Sequence, residues 1–104
     1  MVKQPCTYIM ASARNGTLYT GMTSHIVARV QQHREGSVES FTLRYSVQIL
    51  VWFELLATME EAIAREKQIK AWRRSWKLNL IEASNPLWRD LAEDIGFPPL
   101  PPSS

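Results

Sequence analysis

Residues 6–33 read CTYIMASARNGTLYTGMTSHIVARVQQH, and the fold turns on how this stretch is read. Two runs rich in Thr, Tyr, Ile, Met and Leu, residues 6–12 and 17–23, flank Asn15-Gly16. Asn-Gly between such runs predicts a β-hairpin, because a type I′ turn needs positive φ at both central residues. A two-residue loop would set Ser12 opposite Tyr19. Side chains alternate along strands, so Tyr8, Met10 and Ser12 would share a face with Tyr19 and Gly21. Gly21 removes a side chain beside Tyr19 and opens that face. Thr23-Ser24 then offers an N-cap for a helix from His25 to Arg34. On it Ile26, Arg29, Val30 and His33 follow i, i+3, i+4, i+7 and form one stripe. Arginine on an inward stripe must find an anion or reach water, since an unpaired buried charge is costly. A stem that snorkels to the surface or a salt bridge would satisfy it without chemistry.

Working outward, 104 residues make one small domain with a single core, and the 45% apolar share is ordinary for a soluble protein. No apolar run is long enough to span a bilayer, and residues 1–5 lack the apolar core of a signal peptide. Cys6 is the only cysteine, which excludes a disulfide framework or thiolate metal site and makes a cytoplasmic protein the default.

Phe41 and Tyr45 are expected to anchor a loop or short helix between Glu35 and Arg44. Val47 to Leu56 is long and apolar enough for a strand buried on both faces, central or third in the sheet. Thr58 with Glu61 is a capping-box signature, opening a long helix from Met59 to about Trp72–Trp76. Met59, Ala62, Ile63 and Ile69 mark its buried side. Glu66 falls inside that stripe, where a carboxylate is rare unless paired or bound to a metal. A Glu66–Arg29 salt bridge would account for both charges structurally. Lys77 to Glu82 alternates as a short separate piece. Asn85-Pro86 reads as N-cap and first residue of a last helix, Leu87 to about Asp94, a role that explains Asn85 without function. The domain is expected to end at residue 96, with a flexible Pro-rich tail at 97–104.

The net charge of +2 names no partner. Its distribution says more: Arg65, Lys67, Lys70, Arg73, Arg74 and Lys77 crowd one segment between two net-acidic ones, a phosphate-binding surface or a solvated helix face. The tryptophans read first as packing residues, with Trp72 and Trp76 the pair expected to be partly exposed. No Gly-rich phosphate loop, nucleophile elbow or His/Cys metal cluster is present. Two tyrosines, an arginine, a histidine and one acid suit metal-assisted phosphodiester hydrolysis. One carboxylate can hold Mg²⁺ when water and phosphate oxygens complete the shell, and arginine can stabilise charge on the phosphate.

Tyr8 in Cys6-Thr7-Tyr8, the triplet Tyr19-Thr20-Gly21, and Arg29 with His33 resemble the paired motif of the GIY-YIG nuclease superfamily. Residues 64–72 (AREKQIKAW) resemble the acid-bearing helix of its small stand-alone branch, as does Asn85-Pro86-Leu87-Trp88. The likeness runs from about Thr7 to Leu91. It implies an α/β (α+β) domain with a small three-stranded antiparallel sheet flanked by helices. It further implies a divalent-metal-dependent DNA endonuclease, structure-selective or nonspecific, of the kind found in homing endonucleases, restriction enzymes and excision repair. Carried over, Glu66 holds one Mg²⁺ or Mn²⁺ and Arg29 contacts the scissile phosphate. Tyr8 and Tyr19 position or activate water, His33 joins their network, and Gly21 and Asn85 support the site. Lys67, Lys70, Arg73, Arg74 and Lys77 would take the nucleic-acid backbone. Only the tyrosines and Gly21 of the two triplets are retained; the replaced positions are backbone and packing ones. A non-catalytic nucleic-acid-binding module or partner subunit is the alternative.

Overall fold

The computed structural model of the chain describes residues 3–36 and 45–101. Three antiparallel strands, β1 (Cys6–Ala11), β2 (Leu18–Thr23) and β3 (Ile49–Leu55), form one sheet in the order β2-β1-β3. The helices are α1 (Ile26–Glu35), α2 (Met59–Ala71) and α3 (Arg74–Ser84), followed by a 3₁₀ turn at Leu91–Ile95. This is the α+β architecture expected, with β3 third in sequence and at an edge.

Alternation along β1 divides the core in two. Cys6, Tyr8 and Met10 face one side and pack with Val30 of α1, Leu50 and Ala92. Ile9 and Ala11 face the other and pack with Trp52, Ile69 of α2, Ile81 of α3 and Trp88. Central β1 is therefore buried throughout. Thr7, the polar member on the second face, donates to the Ala62 carbonyl at 2.9 Å and so fixes α2 to the sheet.

The hairpin is longer than a two-residue loop. Tyr8 pairs with Gly21 and Met10 with Tyr19. The ladder closes between Ser12 and Thr17, where Ser12 N–H donates to the Thr17 carbonyl and Ser12 Oγ accepts from Thr17 N–H. Only Asn15 takes positive φ, 59°, in the β-turn whose Gly16 N–H reaches the Ala13 carbonyl. The type I′ geometry is thus absent, and the register moves by two. A two-residue shift preserves side-chain parity, so Tyr8 and Tyr19 still share a face.

At the start of α1, Thr23 Oγ1 accepts from His25 N–H at 3.0 Å, while the N-cap residue His25 makes no side-chain cap. Gly36 ends this helix in the left-handed region at φ 73°. In α2 the capping box forms: Thr58 Oγ1 accepts from Glu61 N–H, and Glu61 Oε2 accepts from Ala57 N–H, one residue ahead of the cap. The long helix breaks at Trp72 and Arg73, both extended (ψ 150° and 157°), and residues 77–82 belong to α3. Ile63 lies on the exposed side of α2, leaving Ala62, Glu66 and Ile69 as the inward stripe. Phe41 and the segment 37–44 lie outside the described residues, and Tyr45, expected to anchor, is 43% exposed.

No α-helix forms from Leu87 to Asp94; only the 3₁₀ turn at Leu91–Ile95 falls there. Asn85 is instead the buried C-cap of α3, donating through Nδ2 to the carbonyls of Val51 (3.1 Å) and Arg89 (2.9 Å). Its Oδ1 accepts from Arg89 N–H at 2.9 Å. Val51 is the extra residue where the β1–β3 register shifts, so Asn85 satisfies the carbonyl that this bulge frees. Trp88 is held at φ 56° with its ring buried and its indole N–H bonded to Glu82. Asp90 then caps the 3₁₀ turn, accepts from Leu50 N–H and pairs with Arg34 of α1. Together Asn85 and Asp90 occupy ladder positions on the outer edge of β3. Phe97, assigned by sequence to the tail, packs on the first-face core beneath the Arg34 guanidinium.

Candidate active site

Tyr8, Tyr19 and His33 form a cluster of three rings on the first face of the sheet. The Tyr8 and Tyr19 centroids lie 6.3 Å apart. His33 meets both edge-on, at 5.8 Å from Tyr8 and 5.2 Å from Tyr19. The Tyr8 hydroxyl lies 3.1 Å from His33 Nε2, within hydrogen-bond distance. Tyr8 and His33 are buried, whereas Tyr19 on the outer strand is half-buried.

Gly21 explains how the rings fit. A Cβ there would sit 2.6 Å from Tyr8 Oη, 2.7 Å from its Cζ and 3.0 Å from Tyr19 Cε1. The open space expected beside Tyr19 is not left open: the Tyr8 phenol fills it. Glycine is needed here for close approach; its φ is not in the left-handed region.

Arg29 stands one helical turn before His33, between exposed Ala28 and buried Val30. Its Nε is buried and has no hydrogen-bond partner among the described residues. The proposed salt bridge to Glu66 does not form: the ion partner of Glu66 is Lys70, 3.5 Å away on the same helix. Glu66 is inward-facing, with its side chain 19% exposed. It lies on α2, which packs on β2 and β1 over the second face, so α1 and α2 present their polar residues from opposite sides of the sheet. β2 is an outer strand, and the two faces meet at its edge.

No group of three or more His, Cys, Asp or Glu residues forms a metal cage among the described residues. The carboxylate of Glu66 is the donor available on α2's inward stripe. One carboxylate fits a hard cation that keeps water and phosphate oxygens as its other ligands, and fits poorly a metal that needs several protein donors.

The basic residues divide by role. Arg74 Nη2 donates to the carbonyls of Asn15 and Gly16 at 2.8 and 2.7 Å, tying the start of α3 to the hairpin turn. Arg65 bonds Glu54 and Gln68 and stacks over Trp52 and Trp72. Lys67, Lys70 and Arg73 are exposed, and Lys77 is half-buried. Arg34 and Asp90 were not singled out by sequence; the Asp90 cap two residues before Ala92 was the signal available.

The chain matches the family model of the GIY-YIG catalytic domain over residues 4–79. It belongs to the GIY-YIG family. Among curated relatives it is 33% identical over 73 residues to the UPF0213 protein SH2523 of Staphylococcus haemolyticus, covering 70% of this chain and 89% of that one. A UPF0213 protein of Staphylococcus aureus is 38% identical over 68 residues, covering 65% and 83%. The solution NMR structure of a UPF0213 protein from Bacillus halodurans superposes with a TM-score of 0.54 at 23% identity, over 86% of this chain and 95% of that one. That likeness establishes the fold. Membership establishes a nuclease-type domain, and no helix among the described residues is long and apolar enough to cross a membrane.

Proposed function

We propose that this GIY-YIG domain is a divalent-metal-dependent endonuclease that hydrolyses phosphodiester bonds in DNA, structure-selective or nonspecific. The observation that carries the reading is Arg29: a guanidinium whose Nε is buried without a partner, one turn from a histidine that closes a tyrosine cluster. A buried guanidinium nitrogen without a partner is satisfied when an anion arrives, and a phosphodiester is the anion this family handles.

Arg29 binds the scissile phosphate and stabilises the charge that builds on it. Tyr19, half-buried, takes the proton of the attacking water or orients that water. Tyr8, wholly buried and set against His33, holds the cluster in place rather than meeting solvent. A tyrosine acts as a base near neutral pH only beside cationic help, which Arg29 and a cation held by Glu66 at the β2 edge would provide. Glu66 is the protein ligand for Mg²⁺ or Mn²⁺, and such an ion, when bound, supplies Lewis-acid polarisation of a phosphate oxygen. Lys67, Lys70, Arg73 and Lys77 hold the backbone of the nucleic acid. Such contacts position rather than read sequence, so binding weakens steeply with salt.

The test is cleavage by Arg29→Ala and Arg29→Lys variants of a panel of duplex, single-stranded and branched DNA plus RNA. Loss with alanine and partial recovery with lysine support a phosphate contact. Equal cleavage by all three proteins contradicts it.

A further inference from the structure

At the α2–α3 break the chain builds a stack of aromatic rings and cations that the cleavage chemistry does not use. Arg65 lies between Trp52 (5.8 Å) and Trp72 (5.4 Å), Trp72 meets Trp76 edge-on at 6.1 Å, and Arg73 covers Trp76 at 5.2 Å. Burial falls along the series. Trp52 is core, Trp72 is half-buried against the second-face core, and Trp76 is 50% exposed. Packing accounts for the first two. It does not account for an indole half in water, held by a neighbouring ring and a guanidinium.

We infer that Trp76 is a stacking platform for an unpaired base, and that this surface directs the protein to single-stranded segments of nucleic acid. Three observations carry the inference. The ring is half exposed and braced by Trp72 and the Arg73 guanidinium, so less entropy is lost when a base settles on it than on an unsupported side chain. Exposed Lys70, with Lys77 one residue beyond Trp76, places cations near the ring where the flanking phosphates would run. Arg74 joins the same helix start to the Asn15 and Gly16 carbonyls, at the turn leading into the strand that carries Tyr19. A base stacks on an aromatic face only when it is out of a duplex, whereas cations alone hold duplex and single strand alike. The inference rests on the nuclease reading only for what the captured strand is for; binding itself needs no turnover.

The experiment measures binding of the full chain in EDTA to oligo(dT), oligo(rU), a duplex of equal phosphate count and poly-glutamate, for wild type, Trp76→Phe and Trp76→Ala. Loss of one stack is expected to weaken single-strand binding about tenfold in Trp76→Ala and less in Trp76→Phe, with duplex binding within about twofold and a similar salt slope. Weakening of both oligo(dT) and oligo(rU) binding in Trp76→Ala supports the platform, because stacking does not depend on the sugar. Unchanged single-strand binding in Trp76→Ala, or equal loss on duplex, overturns the inference, as does competition by poly-glutamate as strong as by oligo(dT). Circular dichroism of Trp76→Ala separates loss of the platform from loss of fold, and Trp76→Phe keeps the test decisive if alanine unfolds the chain. Cleavage that persists without single-strand preference would sink this inference and leave the nuclease reading intact.

Discussion

The hydroxyl of Tyr8 meets His33 Nε2 at 3.1 Å inside the core, while Tyr19 packs on the same imidazole from the outer strand. One histidine thus links a buried tyrosine to a half-buried one. The two tyrosines should therefore fail differently. Tyr8→Phe strips a buried hydrogen bond and is expected to cost about 1–2 kcal/mol of stability. Tyr19→Phe should lower cleavage by about 10²–10⁴-fold, the worth of a general base, with a smaller change in stability. Urea unfolding and single-turnover cleavage of both variants check this; a larger cleavage defect in Tyr8→Phe would reverse the assignment.

Gly21→Ala is expected to be damaging although the position has ordinary backbone angles. The new methyl would lie 2.6 Å from the Tyr8 hydroxyl, so the ring must leave its contact with His33. Overpacking of this kind costs about 1–3 kcal/mol. A crystal structure of the variant should show Tyr8 displaced, and an unmoved ring with full stability would count against the close-approach argument.

Asn85 serves three backbone groups from inside the protein. Asn85→Ala leaves them unsatisfied and is expected to cost about 2–4 kcal/mol. Asn85→Asp keeps the acceptor and loses both donor bonds, so it should not rescue. If chemical denaturation finds both variants as stable as wild type, Asn85 does not hold the bulge.

Cys6 is wholly buried on β1, and desolvation pushes its thiol from 9.0 up to about 11; the Glu54 carboxylate adds to the rise and the Glu54 backbone hydrogen bond opposes it. The folded state binds this proton more tightly than the unfolded state. The contribution is therefore fully present below pH 9.0 and is lost as pH rises to about 11, by about 2–3 kcal/mol. Stability measured from pH 8 to 11 should fall less steeply in Cys6→Ala. Identical slopes would show that another group governs the alkaline limb.

Much of this was legible in the sequence because it follows from parity and periodicity. The shared face of Tyr8 and Tyr19 survived a wrong turn type, since a two-residue slip leaves alternation unchanged. The α1 stripe needed only helical spacing. What sequence could not supply was tertiary competition for local signals. Asn85-Pro86 has the form of a helix start, but the Asn85 side chain is engaged by the freed carbonyl of Val51, thirty-four residues away. The helix through Trp72 looks continuous, yet it breaks so that α2 and α3 can both cover the second face. Whether Arg29 bridges Glu66 was equally beyond sequence, because it is decided by α1 and α2 lying over opposite faces of the sheet.

The most direct measurement is nicking of supercoiled DNA in Mn²⁺ by wild type, Glu66→Ala and Arg29→Ala, purified identically and shown folded by circular dichroism. Wild-type protein is expected to nick only with the metal, and both variants to lose the activity. Residual cleavage equal in all three, or DNA binding by the wild type with no metal-dependent cleavage, would contradict the nuclease assignment and leave a nucleic-acid-binding module.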